Sequence, residues 1–389
     1  MVPSIWAMAM MSISPIVTAA SAIPGTRRTA RATSAGVLWS SVIRKYAVSS
    51  IPPCYSKAVI AGKIPPKLLR RLVYPYLTHR PDVLVAAGIG QDSAVLDFGP
   101  SVCIITCDPI TAAVRHVGRL AVHVACNDIA ATGAEPVALL FTLLLPPHAS
   151  EDDLRTIMSE AGQTAAAVGV AIVGGHTEVT PRVSATVAVV TAIGRAERGG
   201  YVHAAGARPG DLLVLTKAAG IEGTAILATD LAALLAQTVP ADALSRAQQF
   251  VDDVSVLPEG RVAVRAGATA MHDVTEGGVL TAAWELAEAS GLGVEVWADA
   301  VPVRPETAAV CAALRVDPLL LIGSGAMLVT TGSAEQTLTA LHDAGIAAAQ
   351  IGVMRAEGRV VRRGERTEAL VPPPRDELWR VLEEHAPAG

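Results

Sequence analysis

Gly88-Ile89-Gly90-Gln91-Asp92-Ser93-Ala94 is the first of four short polar turns set between apolar runs, and the fold is read from the set. The others are Thr106-Cys107-Asp108-Pro109, then Cys126-Asn127-Asp128-Ile129-Ala130-Ala131-Thr132-Gly133-Ala134-Glu135-Pro136, then Gly174-Gly175-His176-Thr177-Glu178. Turns of this kind let the backbone approach a ligand and let carboxylates converge on it. Asp92, Asp108 and Asp128 are hard oxygen donors of the sort that Mg²⁺ takes together with waters and nucleotide phosphates. Gly88, Gly90, Gly174 and Gly175 leave backbone N–H groups free for phosphate oxygens. Taken singly, each aspartate also suits an ordinary turn cap.

Around these turns the hydrophobic pattern predicts strands at 83–87, 94–98, 102–106, 137–145 and 183–193, rich in Val and Ile. Helices are expected at 66–77, 117–132 and 151–168; the last has Leu154, Ile157, Met158, Ala161 and Ala165 on one stripe and a Ser150/Asp153 cap. After a turn-rich stretch a second unit begins, with a strand at 212–216 and helices near 224–235, 261–266 and 278–290. It continues through a strand-helix-strand unit at 326–330, 334–344 and 348–353. The economical reading is an α/β chain of two mixed domains, 56–198 and 206–356, preceded by an extension over 1–55 and followed by a charged tail over 357–389.

Composition narrows the function. The formal charge is −5 and aromatic residues make up 3% of 389, which argues against a nucleic-acid binder. No apolar run approaches the ~20 residues of a membrane span. Five scattered cysteines without a CxxC pair point to a reducing, cytoplasmic setting. Charge is uneven: residues 1–81 hold eleven Lys or Arg and no Asp or Glu, leaving −16 for 82–389. The extension 1–55 therefore reads as a secretory signal, an organellar transit peptide, or a disordered leader from an over-long start. It has no periodic apolar face, so the fold is expected to survive its removal.

Familiar nucleotide signatures are missing. There is no GxxxxGK[ST], Gly88-Ile89-Gly90 leads into strand without a third glycine, and neither HExxH nor GxSxG occurs. Taken in order, however, the four turns resemble the AIR synthase (PurM-like) superfamily: GxGxD followed by S/A-A-V, T-x-D, N-D-x-A-x-x-G-A-x-P and G-G-x-T. The likeness runs over about 60–356 and continues through Gly210-Asp211, Gly220 to Gly223 and His272-Asp273-Val274-Thr275-Glu276-Gly277-Gly278-Val279. The stretch ELAEASGLGVEV, Glu285 to Val296, is similar to the HypE-like branch.

The resemblance implies a homodimer whose amino-terminal sheets pair into a barrel, with ATP bound between the barrel and the carboxy-terminal domains. It implies Asp92, Asp108 and Asp128 as holders of Mg²⁺ and triphosphate, Asn127 as the residue that orients Asp128, and Gly174, Gly175, His176 and Thr177 facing the nucleotide. The implied chemistry is ATP-dependent activation of a carbonyl, carboxamide or phosphoacceptor oxygen, with Asp108, Asp128 and His272 as catalytic candidates. The second substrate, small molecule or protein, is not named by these motifs. A non-catalytic dimeric nucleotide-binding scaffold is the alternative.

The chain departs from the pattern in three places. It has no cysteine after Cys311, whereas HypE carries its substrate group on a terminal cysteine. Cys54-Tyr55-Ser56-Lys57 lacks the glycines around the reactive Cys of selenophosphate synthetase. His176 stands where HypE and the thiamine kinase have aspartate.

Some residues stay open. His272 beside Asp273 reads either as an acid/base group or as a loop anchor. Lys217 reads as a phosphate contact or as a solvated strand-end lysine. Cys103 and Cys107 read as apolar fillers of one strand face. Glu222 and Glu276 each sit beside a glycine without further sign of role. Strands 102–106, 137–145 and 183–193 are apolar on both faces, and two helices cover only one, so a second copy of the sheet is the expected cover.

Overall fold

The β-branched runs become strands because each pairs over its length with a neighbour. The computed structural model describes residues 62–385 except 112 and 114; the extension 1–55 and the Cys54/Lys57 pair lie outside the described residues. The first domain runs α1 (Pro66–Leu72), β1 (Val83–Val85), β2 (Ala94–Phe98), β3 (Ser101–Ile110), α2 (Val117–Ala130), β4 (Glu135–Leu145), α3 (Glu151–Val168), β5 (Ala171–Val179) and β6 (Val187–Glu197). Its six strands lie in the order β1-β2-β3-β6-β4-β5, antiparallel except for the β4/β5 pair. α2 and α3 cover one face, burying Val122, Ile129, Ile157 and Ala161 against Leu139, Leu143 and Val190. α3 begins in the expected capping box, in which Asp153 N–H donates to Ser150 Oγ and Ser150 N–H donates to Asp153.

The second domain runs β7 (Leu212–Thr216), α4 (Ile221–Asp230), α5 (Ala232–Leu235), α6 (Ala241–Gln248), α7 (Leu257–Arg265), β8 (Ala268–Asp273), α8 (Gly278–Ala289) and β9 (Gly293–Trp297). It continues through α9 (Pro305–Leu314), β10 (Met327–Thr331), α10 (Ala334–Asp343), β11 (Ala348–Arg355), β12 (Arg359–Arg363), β13 (Arg366–Ala369) and α11 (Glu377–Glu384). Seven strands form one sheet in the order β13-β12-β9-β11-β7-β10-β8. Val256, Leu257, Ala263, Met271, Met327 and Val329 join the core cluster of the first domain, so the two domains share packed interior.

Several elements differ from the sequence reading. Residues 106–109 are strand, because β3 pairs with β6 without a break from Ser101 opposite Glu197 to Ile110 opposite Ala188. β2 leaves β3 at Ile105, so the far edge of 106–110 is open and Pro109 removes no ladder bond there. Gly174 to Glu178 are not a turn but the body of β5, the edge strand, and Asn127 and Asp128 lie on the last turn of α2. The stretch 357–389, read as a tail, supplies β12 and β13 to the second sheet, and α11 buries Leu378 and Val381. Its sparse apolar residues hide this, since the strands are edge-proximal and the helix buries one narrow stripe.

Candidate active site

Four aspartates from four elements converge where the domains meet. Asp92 comes from the loop between β1 and β2, Asp108 from the open-edged end of β3, Asp128 from the last turn of α2, and Asp273 from the end of β8. Thr106 shares its strand face with Asp108 and bridges the group: its hydroxyl lies 2.5 Å from Asp128 Oδ2 and 3.3 Å from Asp108 Oδ2. Ser93 Oγ donates to the backbone carbonyl of Asp128 at 3.2 Å, tying the first loop to the helix. One oxygen each of Asp92 and Asp273 and a ring nitrogen of His272 lie within 4.8 Å of one another. The loop comes this close to the second domain because residue 90 is glycine: at its φ of +73° a Cβ would stand 2.4 Å from the carbonyl oxygen of Glu285.

His272 is buried on β8, with Nδ1 2.5 Å from Asp92 Oδ1 and Nε2 3.1 Å from Glu285 Oε2. Burial disfavours its charged form, but Asp92 and Glu285 outweigh that and lift its pKa to about 10. The ring is therefore an imidazolium clamped between two carboxylates, which suits orienting Asp92 better than shuttling protons. Asp273 is pushed up to about 8, first by burial and then by repulsion from Asp92, with His272 and Lys63 pulling the other way. Asp128 is raised well above the carboxylate range, by burial and then by Asp108, Asp273 and Asp92. Lys63 is exposed, yet its charge faces Glu285, Glu276, Asp273 and Asp108, and these hold its pKa up against desolvation. Its ammonium donates to Thr275 Oγ1 at 2.9 Å and its N–H to Glu276 Oε2 at 3.0 Å.

The donor set fits a hard divalent cation. Four converging carboxylates, in which burial raises the pKa of Asp92, Asp128 and Asp273, with Asp273 Oδ2 buried and without a hydrogen-bond partner, form a site that gains by taking up positive charge.

Other expected residues stand elsewhere. The Asn127 amide does not turn to Asp128: Nδ2 donates to the Val254 carbonyl at 2.8 Å, and Oδ1 accepts from Val256 N–H at 2.9 Å. His176 is exposed on β5, 3.1 Å from Glu178, and no hydrogen bond or ion pair among the described residues joins it to the aspartates. Gly174, Gly175 and Thr177 are ladder residues opposite Leu140, Phe141 and Leu143. Lys217 is neither solvated nor aimed at the cluster. Glu222 is buried and pushed up to about 7, chiefly by desolvation. Sequence reading missed Thr106, Asp273, Glu285 and Lys63 as site residues. The spacing of Thr106 and Asp108 on one strand face was a usable signal for the first.

Two mixed α/β sheets with four aspartates at the seam between their domains define a class with a carboxylate-lined interdomain site. Family models place it: the N-terminal domain of AIR synthase related protein matches residues 90–196 and the C-terminal domain matches 208–365, and the chain belongs to that family. Carbamoyl dehydratase HypE of Rhodobacter capsulatus is 30% identical over 275 residues, 70% of this chain and 75% of that protein. HypE of Rhizobium leguminosarum bv. viciae is 32% identical over 253 residues, 62% of this chain and 69% of its own length. A crystal structure of the hydrogenase maturation protein HypE in complex with ATP superposes with a TM-score of 0.61 at 26% identity, covering 81% of this chain and 96% of that one.

Proposed function

We propose that this chain is an ATP- and Mg²⁺-dependent enzyme that activates a carbonyl, carboxamide or phosphoacceptor oxygen by phosphoryl transfer from ATP. The observation that carries the reading is the convergence of Asp92, Asp108, Asp128 and Asp273, in which burial raises the pKa of Asp92, Asp128 and Asp273. The HypE relatives, named as carbamoyl dehydratases and crystallised with ATP, support it. Mg²⁺ held by these carboxylates would neutralise charge on the transferred phosphoryl group. The chain's own part is orientation: Thr106 holds Asp108 and Asp128 together, His272 holds Asp92, and Lys63 supplies a cation facing the same space. A carbonyl oxygen leaves poorly, and phosphorylation makes it a good leaving group.

We take the working form to be a homodimer, because the face of the first sheet opposite α2 and α3 carries Leu140, 41% exposed, with Leu144, Val187, Val189 and Ile193 half-buried beside it. No helix among the described residues is long and apolar enough to cross a membrane, and the free cysteines at 103, 107, 126 and 311 suit a reducing cytoplasm. The deciding experiment is Mg²⁺-dependent ATP hydrolysis by the purified chain, alone and with cell extract as a source of acceptor. ATP bound with unchanged affinity in EDTA would refute the reading.

A further inference from the structure

Lys217 follows β7 directly and occupies the left-handed region at φ 52°, a conformation that a lysine rarely adopts. The conformation turns its side chain inward, where the ammonium meets four oxygens. It donates to the carbonyls of Ser255 at 2.6 Å, Gly325 at 2.9 Å and Asp253 at 3.1 Å, and lies 2.7 Å from Glu259 Oε1. Glu259 is 1% exposed. Ladder formation and packing of β7 need none of these bonds, and with its three N–H donors met by these oxygens the ammonium has none left for a phosphate.

Each contact leads to a site carboxylate. The turn at 253–256 held by Lys217 is the one gripped by the Asn127 amide from the first domain, and Asn127 precedes Asp128 on α2. α7, which carries Glu259, presses its Gly260 on the end of the same helix; a Cβ there would stand 2.1 Å from the Ala130 carbonyl oxygen. Gly325 leads into β10, whose Met327 is the ladder partner of Asp273, while Met327 N–H donates to Thr216 Oγ1 beside Lys217. Neighbouring residues on a helix diverge by about 100°, so fixing the Asn127 side chain fixes the rotation of Asp128. At the ~2.3 Å Cα radius of a helix, a rotation of about 20° moves the Asp128 Cα by ~0.8 Å. Displacement on that scale matters in an active site.

We propose that Lys217, with Glu259, is a positioning residue that sets Asp128 of the first domain and Asp273 of the second relative to one another. The role rests on the metal–ATP reading above and adds a device to it.

The test uses the full chain and Mn²⁺ alone as probe, its affinity measured by electron paramagnetic resonance at a temperature where circular dichroism finds each variant folded. Lys217→Met keeps the bulk and removes the charge and its bonds. It is expected to weaken Mn²⁺ binding by about 10- to 100-fold, as loss of an outer-shell partner does, and to lower kcat with the KM for ATP nearly unchanged. Glu259→Gln is expected to shift Mn²⁺ affinity in the same direction by a smaller factor. Combined with Asn127→Ala, Lys217→Met should cost less than the product of the two single effects, because both act through the 253–256 turn. A folded variant with wild-type Mn²⁺ affinity and only a lower melting temperature would overturn the proposal. If Lys217→Met does not fold, Glu259→Gln decides by the same criterion. Wild-type protein that takes up no Mn²⁺ would instead defeat the metal–ATP reading itself.

Discussion

His272 Nδ1 stands 2.5 Å from Asp92 Oδ1, so a ring carried by the second domain closes on a loop of the first. The pairing makes the interdomain seam an electrostatic one, and its strength depends on the proton that His272 keeps.

That proton gives a pH dependence with a definite sign. The pKa of His272 rises from 6.5 to about 10 on folding, so its stabilisation is complete below about 6.5 and is lost as pH climbs towards 10. Asp273, raised to about 8, acts in the same direction, since the fold holds a proton that alkali removes. In EDTA the melting temperature is expected to fall by about 5 °C or more between pH 6.5 and 9.5, with a shallower slope for His272→Gln. Mg²⁺ should recover most of the loss at high pH, because it takes the place of the missing protons. A flat profile by differential scanning calorimetry would contradict the assignment.

Asp128→Asn should separate activity from stability. The variant loses a metal-binding carboxylate, and Mg²⁺-dependent ATP turnover is expected to fall by about a hundredfold or more. It also loses a carboxylate that Asp108, Asp273 and Asp92 repel. The metal-free variant should therefore melt at a higher temperature than wild type. Equal loss of both properties would mean that Asp128 is structural.

Much of this was legible because local chemistry and tertiary context agree. α3 runs as its stripe and Ser150 cap require, and Asp92, Asp108 and Asp128 do meet, the last two from a strand and a helix. Where they disagree, pairing wins. Gly174-Gly175 has turn composition, yet β4 offers a ladder and the segment extends. Asn127 could not be assigned to Val254 and Val256 from sequence, because partners 127 and 129 residues apart leave no local trace. Asp273 was visible only as the neighbour of a histidine, and its unpartnered oxygen belongs to the folded chain alone.

The carboxy-terminal helix is expected to be part of the fold's stability. Asp376 caps α11 by accepting from Leu378 N–H at 2.7 Å, and its other oxygen accepts from Gly277 N–H at 2.5 Å, next to the site residue Asp273 and its turn. Trp379 Nε1 donates to Glu276 at 3.3 Å. Asp376→Ala leaves the buried Gly277 N–H unpaired and removes the cap, which should cost about 1–3 kcal/mol in urea unfolding. Asp376→Asn keeps a single acceptor oxygen, so it should retain one of the two bonds and cost an intermediate amount. Identical stabilities for wild type and Asp376→Ala would place α11 outside the cooperative unit.

The last prediction concerns the uncovered face of the first sheet. Leu140 on β4 is 41% exposed there, and Val187, Val189 and Ile193 of β6 lie half-buried on the same side. β5 is an edge, so it also offers unpaired backbone groups beside that apolar surface. A two-fold pairing of the sheets would cover both with one self-complementary patch. The expected species at micromolar concentration has twice the 40.0 kDa chain mass by light scattering. Leu140→Asp separates the possibilities cleanly. In a lone chain the substitution points a charge into solvent and should cost less than ~0.5 kcal/mol. In a dimer it buries a carboxylate at the interface, which should shift the mass towards the monomer or yield aggregate and lower the melting temperature. Val190→Asp, at a fully buried position on the helix-covered side of β6, should disrupt both forms and serves as the control for folding. Wild-type protein that sediments as a folded monomer, with Leu140→Asp indistinguishable from it, would remove the dimer from the proposed function and leave the seam between the two domains of one chain as the whole site.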